Sequence, residues 1–167
     1  MRFLTVSGPP SAGKTSVILR VIEALQQRQR KIGVVKFDCL LTDDDTLYAK
    51  KGVLVKKGLS GALCPDHYFV SNIEACVTWG KENACEYLIS ESAGLCNRCS
   101  PHINDITAIC VIDNLSGVNT PRKIGPMLKS ADIVVITKGA IVTQAEREAV
   151  SYTHLLAHET VLDLVCR

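Results

Sequence analysis

The chain has 167 residues, 47% hydrophobic and 22% charged, which is enough apolar material for the core of one globular domain. Its formal net charge is +2 and no long basic run occurs, so nothing calls for nucleic acid or an anionic membrane as partner. The apolar runs are strand-sized, and Met1 leads straight into a strand-like segment without the layout of a signal peptide, so a cytoplasmic protein is expected.

The first strand is predicted at 3–7. It runs into Gly8-Pro9-Pro10-Ser11-Ala12-Gly13-Lys14-Thr15, a full match to G-x-x-x-x-G-K-[ST]. A helical stripe of Val17, Ile18, Val21, Ile22 and Leu25 follows over 14–30. In that context the two glycines let the backbone wrap until successive N–H groups face phosphate, and the helix N-terminus adds a favourable dipole. Residues 8–16, Ser16 included, are the predicted nucleotide cradle. Lys14 would reach the β and γ phosphates as a catalytic cation, and the Thr15 hydroxyl would ligate Mg²⁺.

A second strand at 32–37 ends on Asp38, at the carboxyl edge where such sheets bind ligands. Asp38 reads either as part of a Mg²⁺ and water site or as a plain turn residue. Asp43-Asp44-Asp45 reads as a helix N-terminus rather than a metal site. After a weaker strand at 53–55 comes Cys64-Pro65-Asp66-His67, with a thiol and an imidazole three positions apart. A helix over 72–84 leads to a strand at 87–91, whose last residue, Glu91, occupies the place of a Walker B acid. Mg²⁺ usually keeps several waters, so Thr15 as direct ligand with Asp38 and Glu91 beyond it is chemically sensible.

Directly after Glu91, Cys96-Asn97-Arg98-Cys99-Ser100-Pro101-His102 gives C-x₂-C-x₂-H. Two short clusters of soft donors suit Zn²⁺ or Ni²⁺, and thiolates also suit an iron–sulfur cluster. The candidate ligands are Cys64, His67, Cys96, Cys99 and His102. Cys39, Cys76, Cys85 and Cys110 stand singly in apolar or helical stretches and read as small buried hydrophobes. In a reducing compartment none of the eight cysteines is expected in a disulfide framework.

A strand at 108–112, a helix at 122–129, a strand at 133–137 and a helix at 143–149 complete the alternation, with Thr143 and Glu146 spaced for a capping box. Residues 151–167 depart from it. Another strand and a closing helix belong there, yet 152–167 is a short helix-like segment with two histidines, resembling translated sequencing adapter. The domain is therefore expected to be 1–150, with native sequence stopping near Val150 and one sheet edge left uncovered by truncation. His154, His158 and Cys166 would then carry no functional information. Continuous native sequence through 152–167 in a longer clone would contradict this.

Taken together, these residues resemble the nickel-insertion GTPases of hydrogenase and urease maturation, the HypB/UreG type of the SIMIBI class with a CobW-like nucleotide-binding domain. The resemblance covers most of 1–150. It rests on the phosphate loop, Lys36-Phe37-Asp38, Cys64-Pro65-Asp66-His67, Glu91-Ser92-Ala93-Gly94-Leu95-Cys96 and Ile136-Thr137-Lys138-Gly139. It implies an α/β, three-layer P-loop NTPase fold with a mostly parallel central sheet, GTP hydrolysis, and GTP, Mg²⁺ and Ni²⁺ or Zn²⁺ as cofactors. It also implies Thr137 and Lys138 at the nucleotide base, Cys64, His67 and Cys96 as metal ligands, and a switch after Glu91. A nucleotide-dependent homodimer is implied, with a metalloenzyme or its maturation proteins as partners.

Three features depart from that pattern. Asp66 separates Pro65 from His67 where the urease type has Cys-Pro-His, and a His-rich N-terminal stretch is absent. Ala140 stands where the family's base-reading motif ends in Asp. Leaving guanine's donors unpaired costs on the order of 2–5 kcal/mol, so ATP or weak nucleotide binding stays open. The strand and Lys-Phe-Asp of 31–38 also resemble the GTP-binding adapter of molybdenum-cofactor biosynthesis. A small-molecule kinase, though without an arginine-rich lid, and a zinc-stabilised module that binds nucleotide without hydrolysing it are the remaining alternatives.

Overall fold

The computed structural model describes residues 1–40, 44–96 and 98–157. Its centre is a six-stranded sheet of β1 (Arg2–Ser7), β2 (Ile32–Asp38), β3 (Leu54–Leu59), β4 (Tyr87–Glu91), β5 (Thr107–Asp113) and β6 (Ile133–Thr137). The strand order is β3-β2-β4-β1-β5-β6, and every neighbouring pair is parallel. The connecting helices are α1 (Lys14–Gln27), α2 (Asp44–Lys50), α3 (Pro65–Ser71), α4 (Ile73–Glu82), α5 (Thr120–Lys123), α6 (Gly125–Lys129) and α7 (Gln144–Ala157).

Strand side chains alternate between faces, so a strand covered on both sides must be apolar at nearly every position. Val34, Ile89 and Val111 pack with Ile18 and Ile22 of α1 on one face. On the other, Val35, Phe37 and Leu88 meet Phe69 and Cys76 of α3 and α4, while Cys110 and Ile112 meet Met127 and Leu128 of α6. Parallel pairing puts the carboxyl ends of all six strands on one rim, where Ser7, Asp38, Glu91, Asp113 and Thr137 line up.

All six predicted strands form, and the sheet is wholly rather than mostly parallel. The weak strand expected at 53–55 is Leu54–Leu59, an edge strand whose Lys56 and Lys57 hid it from an apolar pattern. The helix expected at 122–129 is broken into α5 and α6 at Ile124, where Gly125-Pro126 supplies no continuing N–H at the proline. Thr143 and Glu146 form the expected capping box: the Thr143 amide donates to Glu146 Oε2 at 2.9 Å, and the Glu146 amide donates to Thr143 Oγ1 at 3.3 Å. Helix α7 continues past Val150, which is buried, and contains His154. His158, Cys166 and Asp43 lie outside the described residues. Cys76, Cys85 and Cys110 are buried as expected, whereas Cys39 is half-exposed because the chain leaves the sheet at Asp38. No helix among the described residues is long and apolar enough to cross a membrane.

Candidate nucleotide and metal site

The loop between β1 and α1 is a tight wrap. Gly8 has φ +142°, and a Cβ there would lie 1.9 Å from the Val111 carbonyl oxygen of β5. Ser11 and Gly13 are left-handed, at φ 58° and 97°, turning the amides of the loop inward before the first helical bond from Val17 to the Gly13 carbonyl. The end of β6 holds the loop from the side: Thr137 Oγ1 donates to the Ala12 carbonyl at 2.6 Å, and Lys138 Nζ donates to the Ser11 carbonyl at 2.8 Å. Lys138 also pairs with Asp113 at 2.7 Å. Ala140 sits in the one-turn helix Gly139–Ile141 that follows.

Lys14 curls back onto its own loop, donating to the carbonyls of Gly8 at 3.0 Å and Pro9 at 2.8 Å. Burial lowers its pKa to about 8, against the opposing pull of Glu91. A cation pressed against carbonyls at the mouth of a loop of inward amides is poised to exchange them for phosphate oxygens.

Glu91 is the hub of the cleft. It is 1% exposed, and its Oε1 accepts from Thr15 Oγ1 at 2.8 Å and from Lys36 Nζ at 2.8 Å. Its Oε2 accepts from the buried Tyr48 hydroxyl. The Lys36 contact is set by register, since Lys36 and Glu91 are direct partners across β2 and β4. A cleft of about 460 Å³ is lined by Pro10, Ser11, Gly13, Lys14, Thr15, Ser16, Lys36, Asp38 and Glu91. Asp38 therefore does reach the cleft, although its Oδ1 also accepts from the Cys39 amide at 2.8 Å, as a turn residue would. Thr15, Asp38 and Glu91 converge as oxygen donors, which fits a Mg²⁺ held directly by a hydroxyl with carboxylates beyond it.

From Glu91 the chain crosses the rim, and the described residues of 92–106 form no helix. Ala93 offers its carbonyl to Lys14 at 3.5 Å, and Gly94 lies flat on the phosphate loop. Just beyond, Cys96 Sγ and Cys99 Sγ stand 3.1 Å apart, and Cys99 Sγ is 4.0 Å from Cys64 Sγ at the start of α3. The three sulfurs all lie within 4.8 Å of one another. The His67 ring, on the first turn of α3, reaches Cys99 Sγ with Nδ1 at 3.6 Å. Asp66, between Cys64 and His67, is turned into the core, 2% exposed, with neither oxygen in a well-formed hydrogen bond. Burial lifts its carboxyl to about 6, while the neighbouring Ser92 and Lys14 pull it back.

His102 corrects the reading from spacing. It does not join the thiols. Its Nδ1 lies 2.7 Å from Thr5 Oγ1 and its Nε2 3.0 Å from Ser7 Oγ, so both ring nitrogens are engaged by β1 hydroxyls just ahead of the phosphate loop. Burial lowers its pKa to about 4. An unfolded chain takes up the proton near the ordinary 6.5, so this residue's contribution to stability is present above that value and lost as pH falls towards 4, at about 1.4 kcal/mol per unit. Asp66, with its raised value, acts with the opposite sign, so the comparison needs a variant. The stability difference between wild type and His102→Gln, from urea melts, is expected to be about 2 kcal/mol smaller at pH 5 than at pH 7. A pH-independent difference would show that the ring does not stay neutral.

Lys36, Tyr48, Asp66 and Gly94 belong to this site and were not singled out from the sequence as site residues. Lys36 did leave a signal: a lysine inside an otherwise apolar strand needs a buried acid. Tyr48, Asp66 and Gly94 left none that spacing alone could read.

A family model described as CobW/HypB/UreG, nucleotide-binding domain, matches residues 2–160. An uncharacterised protein of Methanocaldococcus jannaschii is 53% identical over 148 residues, covering 89% of this chain and 63% of that protein. The urease accessory protein UreG 2 of a Bradyrhizobium species is 32% identical over 143 residues, covering 80% and 66% respectively. The chain thus spans just under two thirds of the length of these relatives. The crystal structure of hydrogenase maturation factor HypB from Archaeoglobus fulgidus superposes with a TM-score of 0.73 at 20% identity, over 99% of this chain and 81% of that one, a likeness of fold.

Proposed function

The chain belongs to the CobW/HypB/UreG family of nucleotide-binding domains, and on that premise we propose that it is a GTP-hydrolysing metallochaperone whose nucleotide state sets its grip on nickel or zinc during metalloenzyme maturation. The observation that carries this reading is one continuous segment. Glu91 receives the Thr15 hydroxyl, Ala93 and Gly94 touch Lys14 and Gly8, and Cys96 and Cys99 meet Cys64. Any shift of the phosphate loop is therefore passed along nine residues to the thiols.

In this reading the polyphosphate rests on the amides of residues 8–16, and Lys14 leaves the Gly8 and Pro9 carbonyls for phosphate oxygen. Mg²⁺ would be held by Thr15 with Asp38 and Glu91 nearby, where it neutralises phosphate charge. Glu91 or Asp38 orients the attacking water. Lys138 packs along the base, and Ala140 withholds the acceptor that would favour guanine. Departure of Lys14 and reorientation of Glu91 free the 92–99 segment, two protomers meet, and the held metal is retained or released to a metalloenzyme or its maturation proteins. Cys64, His67 and Cys96 hold that metal.

The test is parallel titration of Ni²⁺ and Zn²⁺ with a non-hydrolysable GTP analogue and with GDP. At least about a fivefold difference in metal affinity is expected, the low end of ordinary allosteric coupling. Identical affinities remove the coupling. A second expectation follows from Lys14. Because its pKa is near 8, GTP affinity should fall above pH 8 by about tenfold per unit, as binding must then recruit a proton. Affinity measured from pH 7 to 10 checks this, and a flat profile would mean Lys14 stays clear of the phosphates.

A further inference from the structure

We propose that the nucleoside side of this site does not read the base: it takes guanine and adenine triphosphates with comparable affinity, and Ala140 is the position that sets this breadth. The inference rests on the nucleotide-binding reading above and widens its substrate from GTP to purine nucleoside triphosphates.

The sheet decides where the base goes. Strands β4 and β2 lie on one side of β1, and β5 and β6 on the other. Thr15, Asp38 and Glu91, the oxygen donors suited to Mg²⁺, stand on the β4 and β2 side. That ion bridges the terminal phosphates, so the nucleoside leaves the loop on the opposite side, over the ends of β5 and β6. There Thr137 and Lys138 touch the carbonyls of Ala12 and Ser11. The rim beyond them is made of the one-turn helices Gly139–Ile141 and Asn114–Ser116. The two meet at Gly139, where a Cβ would lie 3.5 Å from Asn114 Nδ2.

Guanine and adenine differ along one edge, where guanine carries a carbonyl oxygen and N–H donors and adenine an amino group beside a bare ring nitrogen. Their faces and N7 are shared. Telling them apart takes a fixed acceptor or donor at that edge, and on this rim the polar side chains are already engaged. Asp113 Oδ2 accepts from Lys138 Nζ at 2.7 Å, and its Oδ1 accepts from the Ser116 amide and hydroxyl, each at 2.7 Å. The Thr137 hydroxyl donates to the Ala12 carbonyl at 2.6 Å. Asn114 Nδ2 donates to the Thr137 carbonyl at 2.8 Å, while its Oδ1, which has no partner, is sealed from solvent. The exposed side chains of the rim are apolar: Ala140, with Leu115 at 58% and Ile141 at 67% exposure. Apolar contact and the aliphatic stem of Lys138 grip either purine alike. A site that hydrogen-bonds one group of its substrate rejects an analogue lacking it by about 10⁴–10⁵-fold, whereas an apolar site cannot strongly reject a near-isostere. Occupancy of this chain then follows the concentrations of the two triphosphates rather than the identity of the base.

Calorimetric titration of the full chain with GTP, ATP and ITP, each with Mg²⁺, tests this, ITP being the analogue of GTP without the 2-amino group. Wild type is expected to bind all three within about tenfold of one another, as apolar contact allows. Ala140→Asp, a change at an exposed position, adds an acceptor beside Lys138. It should raise the preference for GTP over ATP by at least about tenfold, as a charge-assisted hydrogen bond does, and make GTP tighter than ITP. A wider spread among the three nucleotides in wild type, or an Ala140→Asp protein with an unchanged ratio, would overturn the proposal while leaving a nucleotide-binding protein. No binding of any of the three would overturn the nucleotide-binding reading as well. The wild-type comparison needs no variant, so the result does not depend on one folding.

Discussion

Gly94→Ala is expected to weaken GTP binding by at least about 30-fold, although residue 94 carries no side chain for the ligand. Its Cβ would lie 1.9 Å from the Gly8 carbonyl oxygen and 2.9 Å from Lys14 Nζ. Gly8 cannot retreat, because its own Cα already faces the Val111 carbonyl at a distance that excludes a methyl group. Three backbones are stacked, and an added carbon must push the 92–99 segment away from the loop or distort the loop itself. Overpacking costs about 1–3 kcal/mol, and an alanine at φ +75° adds about 1–2 kcal/mol of strain. The sum, about 2–5 kcal/mol, falls on a contact between the phosphate loop and the segment that leads to the thiols. Gly61→Ala is the control. It is left-handed too, at φ +59°, with nothing within 4 Å of the added carbon, so it should show the strain without the loss of binding. Equal effects of the two substitutions on GTP titration would show that the stacking is not functional.

Lys36→Met is expected to cost about 3–5 kcal/mol of folding stability, the usual penalty for leaving a buried charge without its partner. Lys36 and Glu91 are 4% and 1% exposed and 2.8 Å apart. At this chain length the loss lowers the melting temperature by roughly 6–20 °C. Thr15 and Tyr48 still donate to Glu91, which keeps the carboxylate from being wholly orphaned and places the cost within that range. The double variant Lys36→Met/Glu91→Gln removes both charges and should recover more than half of the lost stability. It should not recover hydrolysis, because the acid facing Thr15 is gone. Thermal melts and phosphate release on wild type and the two variants separate the two roles. A double variant no more stable than Lys36→Met would argue that the pair is not what holds β2 to β4 at this rim.

The parts of the molecule legible in the sequence are those dictated by local pattern. Both-faced apolar runs announced the strands, and the eight residues from Gly8 to Thr15 announced the loop, because its chemistry is made of main chain and needs only the right turns. Thr143 and Glu146 announced their cap for the same reason. What stayed hidden depends on register and on contacts between distant segments. Nothing local says that Lys36 lies opposite Glu91, that Tyr48 reaches the same carboxylate, or that Gly94 rests on Gly8. The C-x₂-C-x₂-H spacing drew His102 into a metal site by proximity in sequence. In the fold, the His102 ring turns to Thr5 and Ser7 of β1, while Cys64, far off in sequence, comes to Cys99.

The account depends first on a polyphosphate held by the main-chain amides of residues 8–16 with Lys14. Calorimetric titration of GTP and of ATP, each with Mg²⁺, into wild type and Lys14→Ala tests this most directly. Wild type is expected to bind at least one of the two more than about 100-fold tighter than the variant, the worth of a charge-assisted contact of about 3 kcal/mol. Equal affinities in the two proteins, or no heat from either nucleotide, would contradict it.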